Sequence, residues 1–94
     1  MAKTPLSVKL TQEAITGILQ KRFEGIAVEF DPYRRGRKLQ GILAWDGFEG
    51  MAQLDRQELV RETLRSHLTD EQEHLTGLLL TVTPRELMVM REAA

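Results

Sequence analysis

The spacing of the strand-like runs constrains this chain more than any other feature. Ile26, Val28 and Phe30 alternate with Ala27 and Glu29, the period of a half-buried strand. Asp31-Pro32 then starts a turn, and Gly36 offers positive φ within the segment DPYRRGRK, residues 31–38. Leu39, Gly41, Leu43 and Trp45 alternate with Gln40, Ile42 and Ala44, so the two runs form an antiparallel hairpin with a long loop. Asp46-Gly47 breaks the second strand. The third run, LLLTV over 78–82, comes only after a long stretch with helical patterning. A strand that returns through helices runs parallel to the one it left, with a right-handed crossover. The predicted fold class is therefore α+β: one domain in the order α-β-β-α-α-β-α, with a three-stranded mixed sheet and helices mainly on one face.

Capping signals set the expected helix ends. The first helix is expected over 11–23, with Thr11 as N-cap, Ala14, Ile15, Ile18 and Leu19 as its apolar stripe, and Gly25 closing it. Residues 1–10 then form an N-terminal tail and 11–94 the folded domain. Gly17 costs about 1 kcal/mol against alanine in a helix, and a close approach to the sheet would account for it. Asp55 and Glu58 form a capping-box pattern for the second helix, with Leu54 and Leu59 as a hydrophobic staple. Thr69 and Gln72 repeat that pattern for a short helix over about 70–76, closed by Gly77. Thr83, Pro84 and Glu86 start a last helix with Leu87, Met88 and Met90 as its core face.

Composition narrows the function classes. The 94 residues hold no cysteine, so disulfides, thiol catalysis and thiolate metal sites are excluded. The opening MAKTPLSVKL lacks the apolar run of a secretory signal, and no run is long enough to span a membrane. A cytoplasmic setting is the expectation. Net charge is −1, so nucleic-acid binding needs a local basic patch rather than a whole-molecule field.

The element order, together with TQEAITGILQKRF, FEGMAQLDRQELVRETL and LLLTVTPREL, resembles the BolA family and, more broadly, the class II KH-type fold. The family's F-x-G-K/M loop and R-H-R-L-V helix match Phe48, Gly50 and Met51, then Arg56, Gln57, Glu58, Leu59 and Val60. Its T-P-x-E-W resembles Thr83, Pro84, Arg85, Glu86 and Leu87. The resemblance covers about residues 10–88. It implies a non-catalytic regulatory protein of stress response and transcription. It also implies a monothiol glutaredoxin partner, with which BolA-like proteins share a [2Fe–2S] cluster. Cluster ligation in the family uses His or Cys in the hairpin loop and His at the start of the third strand. Here the loop has neither, the strand-start position falls near Leu75, one residue after His74, and the helix His of the motif is Gln57. No cofactor is therefore assigned.

Two binding sites follow. Tyr33, Arg34, Arg35, Arg37 and Lys38 place four cations beside an aromatic ring, suited to phosphates and a base; the plainer reading, and the commoner one for such a loop, is a solvated hairpin tip whose charges discourage edge pairing. Lys21 and Arg22 would extend that patch if the first helix ended near the loop. A partner surface is expected around Phe48, Met51, Gln57 and His74. A homodimer built on the last helix is a third reading. Gly47-Phe48-Glu49-Gly50 has the G-x-x-G form of a nucleotide clamp, but it follows a strand and reads as a tight connection whose two glycines take unusual φ. The segment 67–71, where a KH clamp would lie, is acidic. His67 and His74 are seven residues apart, too far for one metal ion. No nucleophile elbow, P-loop or dinucleotide fingerprint occurs, so no catalysis is expected. Trp45 is expected in the core.

Overall fold

The computed structural model describes residues 4–93. Its elements are α1 (Leu6–Arg22), β1 (Ala27–Phe30), β2 (Leu39–Ala44), a 3-10 turn (Asp46–Phe48), α2 (Gln53–Arg65), α3 (Asp70–Leu75), β3 (Thr76–Val82) and α4 (Pro84–Ala93). The sheet order is β1-β2-β3, with β1 antiparallel and β3 parallel to β2. The predicted architecture is thus the observed one.

Period-2 burial sorts the sheet into two faces. Leu39, Gly41 and Leu43 of β2 and Leu79 and Thr81 of β3 are buried on one face. Onto it pack Ile15, Leu19 and Phe23 from α1 and its end, and Val60 and Leu64 from α2. Val28 and Phe30 of β1 lie against the same core, so Glu29 between them belongs to the other face. Trp45 sits between the rings of Phe23 (4.9 Å) and Phe48 (5.2 Å), and its Nε1 donates to the Glu24 carbonyl at 2.9 Å. The expected core role of Trp45 is what the structure shows.

Several element ends differ from expectation. α1 begins at Leu6, with Pro5 as N-cap. The Val8 and Lys9 amides bond to the Pro5 carbonyl, and the Thr11 hydroxyl, buried inside the helix, donates to the Ser7 carbonyl. An added turn buries Val8 and lengthens the apolar stripe. Residues 6–10 are therefore helix rather than tail, and residues 1–3 of the expected tail lie outside the described residues. Gly17 does not approach the sheet, because a Cβ there would meet nothing within 4 Å.

The α2 N-cap is Ala52, not Asp55, and Leu54 is exposed, so neither the expected capping box nor the staple forms. Starting at Gln53 puts Gln53, Arg56 and Gln57 on one face toward β3. All three are engaged there. Gln53 Nε2 and Arg56 Nη1 donate to the Thr81 carbonyl, and Gln57 Nε2 donates to the Leu79 carbonyl. The Thr69–Gln72 box caps α3 as expected. β3 starts at Thr76, so Gly77 lies in the strand instead of closing the helix. A Cβ on Gly77 would fall 2.8 Å from the Leu39 carbonyl, where the β2–β3 register shifts. The Thr83–Glu86 box also forms, but α4 buries no residue, and Met88 is 62% exposed. Leu87, Met88 and Met90 therefore make no core face. Ion pairs hold α4 instead: Glu86 to Arg56 of α2, and Arg91 to Glu29 of β1.

Candidate nucleic-acid interface

The β1–β2 loop presents its cations as the sequence suggests. Arg34, Arg35, Arg37 and Lys38 are all exposed, and among the described residues none joins a salt bridge. The Asp31 amide bonds to the Gln40 carbonyl across the base of the loop, and the Arg37 amide to the Arg34 carbonyl across its tip. Gly36, at φ +78°, makes that turn without strain. The loop curls around a hollow of about 380 Å³ lined by Tyr33, Arg34, Arg37 and Lys38. Tyr33 is half-buried against the core. The arrangement offers flexible point charges and forked guanidinium donors around a concavity, which suits phosphate groups.

Strand directions decide what lies beside this loop. Leu39 pairs with Thr76, so the loop and the α3–β3 junction share one end of the sheet. Ala27 pairs with Ala44, and Ala44 with Val82, so the start of β1 lies at the other end. Lys21 and Arg22 precede β1 and belong to that far end. They do not extend the basic patch, which corrects the extension that the sequence left open.

The expected partner surface is not brought together. Phe48 is 0% exposed and sits in the core, so it touches no partner. Met51 packs half-buried beside it at the same far end. Gln57 is committed to β3, where it also donates to the Thr81 hydroxyl. His74 is exposed at the loop end. The GFEG segment is the tight connection expected, although only one of its glycines takes unusual φ. Gly50 has φ +80°, whereas Gly47 is required for space, since a Cβ there would fall 2.3 Å from the Trp45 ring. His67 is exposed, with its Nδ1 2.9 Å from the Thr63 carbonyl.

The residues do not fit the [2Fe–2S] cluster that the resemblance implies. The hairpin loop carries guanidinium and ammonium groups where ligands would be, and these cations do not coordinate iron. Leu75, at the strand-start position, is aliphatic. Among the described residues no three His, Cys, Asp or Glu side chains are grouped to hold a metal ion.

Sequence reasoning missed a polar hub. Arg56, 6% exposed, donates to the Met51 carbonyl at 3.0 Å, to the Thr81 carbonyl at 3.3 Å and to Glu86 at 2.7 Å, and its guanidinium lies 5.8 Å from the Phe48 ring centroid. The Arg56 bond and the Thr83 amide hold the Glu86 carboxyl below its ordinary pKa. Four elements thus meet at one guanidinium. The spacing of Gln53, Arg56 and Gln57 on one helix face was the available signal.

The fold is that of a small α+β protein with a three-stranded mixed sheet. Within that class its fold is BolA-like. It superposes on a bolA protein homologue from Coxiella burnetii with a TM-score of 0.59 at 26% identity, covering 94% of this chain and 99% of that one. BolA1 from Arabidopsis thaliana gives a TM-score of 0.59 at 23% identity over 81% of this chain and 94% of that one. The BolA domain of SufE1 from Arabidopsis thaliana gives 0.54 at 18% identity, covering 90% and 99%. No protein-family model and no curated protein matches the chain. No helix among the described residues is long and apolar enough to cross a membrane.

Proposed function

We propose that this chain is a non-catalytic BolA-like binding module that contacts nucleic acid through its β1–β2 loop. One observation carries the reading: four exposed cations without salt-bridge partners among the described residues lie in one hairpin loop, three of them, Arg34, Arg37 and Lys38, lining its hollow. Exposed charges of this kind bind phosphates by releasing counterions, so the interaction is weak and salt-sensitive. Arg34, Arg35, Arg37 and Lys38 supply the contacts, and Tyr33 lines the hollow beside them. Fluorescence anisotropy with short labelled single strands tests the reading. Replacing the four cations by alanine abolishes binding at low salt. Unchanged affinity in that variant overturns the proposal.

Docking to a monothiol glutaredoxin is the second reading. Its support is His74, exposed at the same end of the sheet as the loop. The docking would proceed without a cluster, because the donor set is absent. Co-sedimentation with such a partner, read also for visible iron–sulfur absorbance, tests it. A complex without that absorbance is expected, and no complex at all removes this reading.

A further inference from the structure

A second concavity lies on the opposite side of β3 from β2, between that strand and α2. It has a volume of about 500 Å³. Its floor is aliphatic: Val60, Leu64 and Leu68 on the helical side, and Leu79 on the strand. Arg61 and Arg65 stand on its rim, both exposed and one helical turn apart. Arg65 has only a long contact with Glu73, at 3.9 Å, and Arg61 joins no salt bridge among the described residues. Leu78 is 60% exposed and lines the same concavity.

The edge of β3 narrows what fits. Toward its C-terminal end the carbonyls of Leu79 and Thr81 are taken by Gln57, Gln53 and Arg56. A full added strand is therefore blocked, as edge strands commonly are. Only the N-terminal end of β3 opens into the groove. Nucleic acid suits this cavity poorly. No aromatic side chain among the described residues lines it to stack a base, and Glu73 stands on its α3 side.

We propose that this groove binds a short extended segment of a protein partner, with an aliphatic side chain on the floor and an acidic side chain on Arg61 and Arg65. The aliphatic residue covers Leu78, which is 60% exposed, and that burial supplies affinity. The carboxylate pairs with the two guanidinium groups, which fixes direction and favours acidic over basic sequences. The site is separate from the loop cations and does not depend on nucleic-acid binding there.

The test is an amide and methyl chemical-shift titration of the full chain. The probe is a pool of hexapeptides carrying one Leu, Ile, Val or Met between Asp or Glu residues. Saturable shifts at Val60, Leu64, Leu78 and Leu79 are expected. Arg61→Glu with Arg65→Glu weakens binding about tenfold or more, and a pool with Lys in place of the acids does not bind. Leu78→Gln, an exposed change, weakens binding while leaving the spectrum of the free protein otherwise intact. Absence of shifts at millimolar peptide overturns the proposal. So do shifts in the groove produced by a short single-stranded oligonucleotide, which would assign the cavity to nucleic acid.

Discussion

Gly47 and Gly17 show how little a residue's identity says without its surroundings. Gly47 lies in the turn after β2 and Gly17 inside α1, and neither takes a positive φ. At Gly47 the Trp45 ring fills the space a Cβ would need, at 2.3 Å. At Gly17, in the α1 interior, nothing lies within 4 Å. Gly47→Ala is expected to destabilise the fold by about 1–3 kcal/mol, because the ring must leave its place between Phe23 and Phe48. Gly17→Ala is expected to stabilise it by up to about 1 kcal/mol, through helix propensity alone. Urea unfolding followed by tryptophan fluorescence reads both, and a shifted emission in the Gly47 variant locates the effect at Trp45. Glu86 makes a prediction of a different kind. Its carboxyl is held below the ordinary pKa by Arg56 first, then by the Thr83 amide. A depressed pKa contributes stability above the unfolded value, and that contribution is lost as pH falls through the folded value. Glu86→Gln is therefore less stable than the parent at neutral pH. The two converge in acid, once the parent carboxyl is protonated. Parallel curves of stability against pH would show that Glu86 is not the anchor of α4.

Elements were legible in the sequence where a cap could be satisfied locally. Thr69–Gln72 and Thr83–Glu86 each close a box within four residues, and both formed. Asp55–Glu58 had the same pattern and did not. There the distant strand β3 draws Gln53, Arg56 and Gln57 to one face, and helix α2 starts earlier than its own caps would place it. Likewise the α1 start was hidden because Thr11 hydrogen-bonds back along the helix instead of capping it. The apolar residues of α4 misled for another reason: Leu87, Met88, Val89 and Met90 are contiguous, so they wrap the helix instead of forming a stripe. Thr69→Ala is expected to cost about 1 kcal/mol, the usual loss of an N-cap. Asp55→Ala is expected to stay within about 0.5 kcal/mol of the parent, as a surface change without a cap. Chemical denaturation of the two variants separates them, and equal losses would show that the Asp55 box forms in solution.

At the scale of the molecule, strand direction does what residue patterns could not. The cluster of Arg34, Arg35, Arg37 and Lys38 was visible in the sequence, because it is contiguous. Its isolation from Lys21 and Arg22 was not, because that depends on which end of the sheet each cation occupies. The groove beside β3 was invisible for the same reason: its residues come from two helices and a strand that only the parallel pairing brings together. This division of charge yields a prediction about salt. The chain has net charge −1, so with the loop cations set aside the remainder is acidic and repels a polyanion. Binding should then depend on the loop alone. For a single strand, the logarithm of affinity falls with the logarithm of salt by about 0.7 per phosphate neutralised. Removing two of the four, Arg34→Ala with Arg37→Ala, leaves measurable binding and removes up to about 1.4 units of that slope. Lys21→Ala with Arg22→Ala, at the far end of the sheet, leaves the slope unchanged. The measurement is anisotropy across a salt series for the parent and both variants. A slope lost equally in both would mean that the nucleic acid spans the whole length of the sheet, and that the loop is only one end of its track.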